Sequence, residues 1–203
     1  MKNFIKTALV AAAVTATMGF SAANAAVIYT YSDGATDFGG EYRGIGAYDD
    51  AIVTSAGKAR VSFDLFGARS IDGDNAYKDV FTIILNGATI FSGSFNMSGG
   101  GANVVDTNVF GWAWNTVTNG SGGFFEGGVT SISGLVDLID GNNEFSVTFS
   151  SPGAANNKDQ GLGDESWALN NLTVATVPLP AGLPLLLAGL AGLGALRSRK
   201  RKA

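Results

Sequence analysis

Neither cysteine nor histidine occurs in the 203-residue chain, and those two absences remove whole classes of chemistry. Without them there is no Ser-His-Asp or Cys-His triad, no thiol redox couple, no zinc site of the usual kind and no haem held by His or Cys. Basic residues are outnumbered as well: 13 Lys plus Arg stand against 17 Asp plus Glu, giving a formal charge of −4 and a pI near 4.7. A nucleic-acid binder needs a basic face to displace counterions from phosphate, so nucleic acid is excluded as a partner. Carboxylates, hydroxyls, amides and a few cations are what remain for function.

Glycine, by contrast, is abundant, with 29 residues at roughly twice the average usage. No Gly-x-y period runs through the chain, so the excess reads as tight turns, the punctuation of an all-β domain. The length suits one such domain plus targeting segments.

Residues 1–25 have the three parts of a secretory signal peptide. Lys2 and Lys6 form a basic head, Thr7 to Phe20 an apolar stretch, and Ala23-Asn24-Ala25 a small-residue exit, which places cleavage after Ala25.

The other end, residues 177–203, runs from Val177 through an uncharged stretch to Leu196, then into Arg197, Ser198, Arg199, Lys200, Arg201 and Lys202. Twenty residues from Val177 to Leu196 match a hydrocarbon core of roughly 30 Å if helical. Pro178, Pro180 and Pro184 confine the regular helix to the stretch after Pro184, about 12 residues or roughly 18 Å. A short transmembrane helix before a basic stop-transfer tail leaves that tail in the cytoplasm and the preceding domain facing the periplasm.

Val177, Pro178, Leu179, Pro180 and Ala181, succeeded by one hydrophobic helix and the Arg/Lys cluster, resemble the PEP-CTERM class of sorting signals in its VPLPA variant. The resemblance implies export, transient residence in the inner membrane, and cutting near the motif by an exosortase, a cysteine protease of Gram-negative membranes. It also implies delivery to the cell surface or the extracellular polysaccharide matrix of a biofilm. Signal peptidase and the exosortase-like protease are then the processing partners. A permanent single-span anchor is the alternative. A Gram-positive sortase signal fits less well, because its Thr is replaced by Ala181.

Between the ends, residues 26–176 alternate with period two. Ala59, Val61, Phe63 and Leu65 share one face of a strand, Lys58, Arg60, Ser62 and Asp64 the other. Asn86-Gly87 between Val80–Leu85 and Ala88–Phe95 predicts a two-residue type I′ hairpin, which would set Ile83 opposite Ile90. Phe110, Trp112 and Trp114 alternate, as do Phe145, Val147 and Phe149, and strands are expected at Val27–Tyr31 and Trp167–Val174. Seven or more short strands with Gly and Asn turns predict an antiparallel two-sheet β-sandwich of jelly-roll kind. Trp167 is expected in the core together with one of Trp112 and Trp114, whose shared parity argues against an exposed Trp there. The Asn-Gly hairpin and the Asp164-Glu165-Ser166-Trp167 stretch also resemble domains carried by PEP-CTERM proteins, and jelly-roll carbohydrate-binding modules end in a comparable way.

Two acidic groups have the oxygen density that calcium prefers: Asp72, Asp74 and Asp79, and Asp159, Asp164 and Glu165. The alternative is that they are solvated turn residues that cap their own backbone. Phe124 and Phe125, in a Gly-rich loop, are the candidate contacts to a sugar ring. No spacing nominates a pair of catalytic carboxylates, so no catalytic residue is assigned.

The sequence thus describes a non-enzymatic exported protein of the cell surface or matrix, associated with extracellular polysaccharide. A calcium-assisted carbohydrate-binding module is the alternative, and a polysaccharide-active enzyme stands third. With only six of the 13 basic residues but all 17 acids, residues 26–176 carry a formal charge of −11. Such a surface repels anionic polymers unless a divalent cation bridges them.

Overall fold

The computed structural model describes residues 25–34, 43–44, 46–118, 126–153, 162–177, 186 and 189–191. Ten strands form: β1 (Val27–Tyr31), β2 (Gly46–Thr54), β3 (Gly57–Gly67), β4 (Val80–Leu85), β5 (Ala88–Ser94), β6 (Val104–Asn108), β7 (Ala113–Thr118), β8 (Gly128–Leu138), β9 (Gly141–Ser150) and β10 (Trp167–Thr176). One five-stranded sheet has the order β1-β10-β3-β8-β7, the other β2-β9-β4-β5-β6, and every pairing between strands is antiparallel. Setting aside β6 and β7, which add one strand to each sheet, the orders 1-10-3-8 and 2-9-4-5 are those of a jelly roll.

Period-two alternation builds the sheets. In β3, Ala59, Val61, Phe63 and Leu65 are buried, while Lys58 and Arg60 are exposed and Ser62 and Asp64 half-buried. Phe145, Val147 and Phe149 do the same in β9. Between the sheets, rings form a chain of contacts: Phe81 lies 5.0 Å from Phe149 and 5.5 Å from Trp167, and Phe63 6.1 Å from Phe145. Each such side chain contributes roughly 1.5–3 kcal/mol by leaving water, and edge-to-face contacts add to that.

Two expectations need correction. The Asn86-Gly87 hairpin forms, with φ of 50° and 78° at its two central residues, but Ile83 faces Phe91 rather than Ile90. The register breaks between Ile83 and Ile84, because β5 buries both Ile90 and Phe91 and one extra residue must be taken up to do so. Phe110, Trp112 and Trp114 do not lie on one strand. A turn at Val109–Gly111, with Gly111 at φ 64°, separates β6 from β7. Trp167 and Trp112 are in the core as expected, at 0% and 3% exposure, whereas Trp114, on the edge strand β7, is 37% exposed and leans on Phe95 at 5.5 Å.

Trp112 is held by its indole N–H, which donates to the Leu135 carbonyl at 3.0 Å. It lies against Gly134, where a Cβ would stand 2.0–2.4 Å from three indole atoms. Gly134→Ala is therefore expected to destabilise the fold by about 1–3 kcal/mol through overpacking. Urea unfolding checks this, and an unchanged midpoint would show that the indole can move aside.

The edge where β1 and β2 face each other is closed by polar contacts. The hydroxyls of Tyr29 and Tyr48 lie 2.7 Å apart, and both are within hydrogen-bonding reach of Asp50 Oδ2. The sandwich lies within Asn24–Pro178, a span that leaves out the two termini, Met1–Ala23 and Leu179–Ala203. Of those termini only Leu186, Gly189, Leu190 and Ala191 are described, all helical and exposed. Among the described residues no helix is long and apolar enough to cross a membrane. Ala23, the sorting-motif residues Pro178, Leu179, Pro180 and Ala181, and the basic tail lie outside the described residues. Ala25 and Val177 are described and exposed.

Candidate functional site

At one end of the sandwich, three connections meet. The segment from Ala68 to Asp79 joins β3 to β4 and pairs with the segment after β5 through Ile71 with Met97 and Asp74 with Ala102. Ser151 comes directly after β9, and Glu165 precedes β10. Together these place Asp72, Asp79 and Glu165 so that one carboxylate oxygen of each lies within 4.8 Å of the others. All three side chains are buried, at 5%, 0% and 0% exposure. Gly99 packs over Asp72 so closely that a Cβ there would stand 2.7 Å from the Asp72 Cγ.

Local hydrogen bonds fix the three groups. The Asp72 backbone N–H donates to Asp79 Oδ2 at 2.8 Å and the Asn75 amide to Asp72 Oδ1 at 2.8 Å. Ser151 Oγ contacts both Asp79 Oδ1 and, at 2.9 Å, Glu165 Oε2. A hydroxyl carries one hydrogen and cannot donate fully to two carboxylates. Either one acid carries a proton and donates to Ser151 Oγ, or a cation shares the space.

Electrostatics point the same way. Burial pushes Asp79 up to about 7, against hydrogen bonds from the Asp72 N–H and Ser151, with the charges of Glu165 and Asp72 raising it further. Burial likewise lifts Asp72 to about 6, the Asn75 amide opposing and the Glu165 and Asp164 charges adding. Among the described residues, the charges that bear on these two acids are all negative.

The contrast is Asp33, also sealed from solvent. Burial opposes its charge too, but hydrogen bonds from Arg43, Tyr31 and the Leu169 N–H hold its carboxyl below the usual range. Arg43 Nη2 lies 2.7 Å from Asp33 Oδ1, with its guanidinium over the rings of Tyr48 and Trp167. Asp33 is matched by a cation from the chain, whereas the described charged groups that bear on Asp72 and Asp79 are carboxylates.

Of the six acids proposed from sequence as calcium ligands, the structure joins three, Asp72 and Asp79 from one group and Glu165 from the other, with Asp79 and Glu165 86 residues apart in the chain. Asp74 is corrected: its pairing with Ala102 turns it outward to Lys78 at 3.1 Å. Asp164 is corrected as well, accepting instead from Ser70 Oγ at 2.5 Å beside the triad. Asp159, Phe124 and Phe125 lie outside the described residues. Sequence reasoning missed Ser151 and Asn75, ordinary polar residues whose roles appear only when the connections meet.

Chemically, three sealed carboxylates are poor catalysts, because a glycosidase acid and its partner must touch substrate. They are suited to a hard cation, since two oxygens on one calcium at about 2.4 Å are at most about 4.8 Å apart.

No family model matches the chain, and no curated protein does. Among solved structures, it is similar to the carbohydrate-binding module CBM6cm-2 from Cellvibrio mixtus lichenase 5A, in complex with cellotriose. That match has 15% identity, covers 75% of this chain and 90% of the other, and has a TM-score of 0.35. A CBM35 from Cellvibrio japonicus Abf62 matches at 14% identity over 78% of this chain and 90% of the other, with a TM-score of 0.32. A family 35 carbohydrate binding module from Clostridium thermocellum matches at 14% over 74% and 90%, with a TM-score of 0.33. Superpositions this loose carry no functional argument, and function has to be read from this chain's own residues.

The raised carboxyls have a consequence for the protein in chelator. A carboxyl whose folded pKa exceeds its unfolded value of 3.8 binds its proton more tightly when folded. The contribution of Asp72 and Asp79 to stability is then fullest below about pH 4 and declines as pH rises through 6 to 7. Asp79→Asn should flatten that decline. Chemical unfolding across pH 4 to 8 tests it, and equal slopes in the two proteins would contradict the assignment.

Proposed function

We propose that the protein is an exported, non-catalytic β-sandwich of the cell surface or extracellular matrix, associated with exopolysaccharide. The observation that carries this reading is the arrangement of its parts. A jelly roll of strongly acidic composition lies between an N-terminal stretch patterned like a secretory signal and a literal VPLPA sequence, and its convergent carboxylates are buried. Signal peptidase and an exosortase-like protease process the precursor, the domain facing the periplasm until release. Sequencing both ends of the mature protein from each cell fraction tests this. The expected product begins at Ala26, lacks Arg197 to Lys202 and sediments with the polymer. Recovery of an intact basic tail in the inner membrane would instead establish a permanent anchor.

The triad supports a second, compatible reading, calcium-assisted carbohydrate binding. Asp72, Asp79 and Glu165 would hold the ion, which would offset the like charges that bear on Asp72 and Asp79 and tie the three connections together. One calcium per chain is expected from equilibrium dialysis above pH 7, and none for Asp79→Asn. Equal loading of both proteins would place any calcium elsewhere.

A further inference from the structure

On the outward face of the first sheet, a groove of about 300 Å³ crosses β7, β8, β3 and β10. Cross-strand register explains it. Asn115, Ser131 and Asp64 stand side by side in one row, and Ala113, Ser133 and Ser62 in the next. Small side chains in both rows leave a trough. Larger ones bound it, with Val117, Val129 and Phe66 in register on one side and Leu135 on the other.

Asp64 lies in the floor, clear of the acidic triad. Ser131 Oγ donates to its Oδ1 at 2.6 Å and Asn171 Nδ2 to its Oδ2 at 2.7 Å. Asn171 makes that contact from a left-handed conformation, φ 54°, where the β10–β3 register breaks between Asn170 and Thr173. Such backbone costs on the order of 1–3 kcal/mol in a non-glycine residue, and here it aims an amide at the acid. Each carboxylate oxygen accepts more than one hydrogen bond, so Asp64 keeps lone pairs for a ligand.

We propose that this trough binds a neutral glycan, with Asp64 accepting hydrogen bonds from two neighbouring hydroxyls and Asn115, Asn171 and the serines lining it. The proposal deepens, and rests on, the polysaccharide reading of the whole protein. Charge selects the class: a floor carboxylate on a domain of formal charge −11 disfavours uronates and phosphates. A protein partner is disfavoured because the floor carboxylate would be buried without a countercharge in an interface core, where charged residues are depleted. Four strands at about 4.8 Å spacing span roughly 14 Å, room for a short oligosaccharide.

The test uses the full chain, as wild type, Asp64→Asn and Ser133→Trp, with equal melting temperatures required. Should Ser133→Trp melt lower, Asn115→Trp, at an exposed edge position, replaces it. Calorimetry is run with cellotriose, laminaritriose, xylotriose and trigalacturonate, and co-sedimentation with the host's own exopolysaccharide. Saturable binding of a neutral trisaccharide or the polymer, weakened about tenfold or more by both substitutions, is expected from the loss of hydrogen bonds to a charged group. Polymer or neutral-sugar binding that both variants retain would overturn the trough and leave the polysaccharide reading standing. Binding confined to trigalacturonate would also overturn it. Absence of binding to every probe and to the polymer would overturn both.

Discussion

Three carboxyl groups that meet out of water are the constraint on which one end of this sandwich depends. Asp72 and Asp79 bracket the β3–β4 connection, and Glu165 stands at the entrance to β10. With Ser151 at the exit of β9, they tie connections that run between the two sheets. Acids placed this way must be neutralised by protons or by a cation, because several bare charges in a buried site cost far more than one domain's stability allows. Proton and cation compete, so acidity and metal bear on the same few atoms.

Trp167 links the triad to the Arg43–Asp33 ion pair. It lies two residues beyond Glu165, packs edge-on against Phe81, and donates its indole N–H to the Gly44 carbonyl at 2.8 Å. Its backbone exchanges hydrogen bonds with Arg43, the cation that neutralises Asp33. The core aromatic is therefore gripped between a self-contained ion pair and a cluster of like charges. The outward trough around Asp64 lies on the other face of the same strand that buries Phe63 and Leu65.

Much of the architecture is legible in the residues. Strict parity in β3 and β9 states which face is buried, and Asn86-Gly87 states where a hairpin turns. Register in that hairpin is not legible, because β5 buries Ile90 and Phe91 in succession and alternation cannot say which of them is displaced. The Phe110, Trp112, Trp114 pattern misleads for a related reason: parity has meaning only within one strand, and a turn intervenes. At the site, acidic density marks the right loops but not which acids converge. Asp72 and Asp74 are near neighbours in sequence, yet one is sealed against Asp79 and the other paired with Lys78. That difference is set by long-range pairing of Asp74 with Ala102, which local sequence does not display. Alternation places Asp64 correctly on an outward face, with nothing in the local pattern to distinguish it from any solvated strand residue.

The central claim is that the buried acids require a countercharge, and thermal unfolding in excess calcium against chelator at pH 8 addresses it most directly. At that pH protons no longer compete well, so calcium at about 100 times its dissociation constant should raise the melting temperature on the order of 5–10 °C. Identical melting temperatures in the two conditions would contradict it.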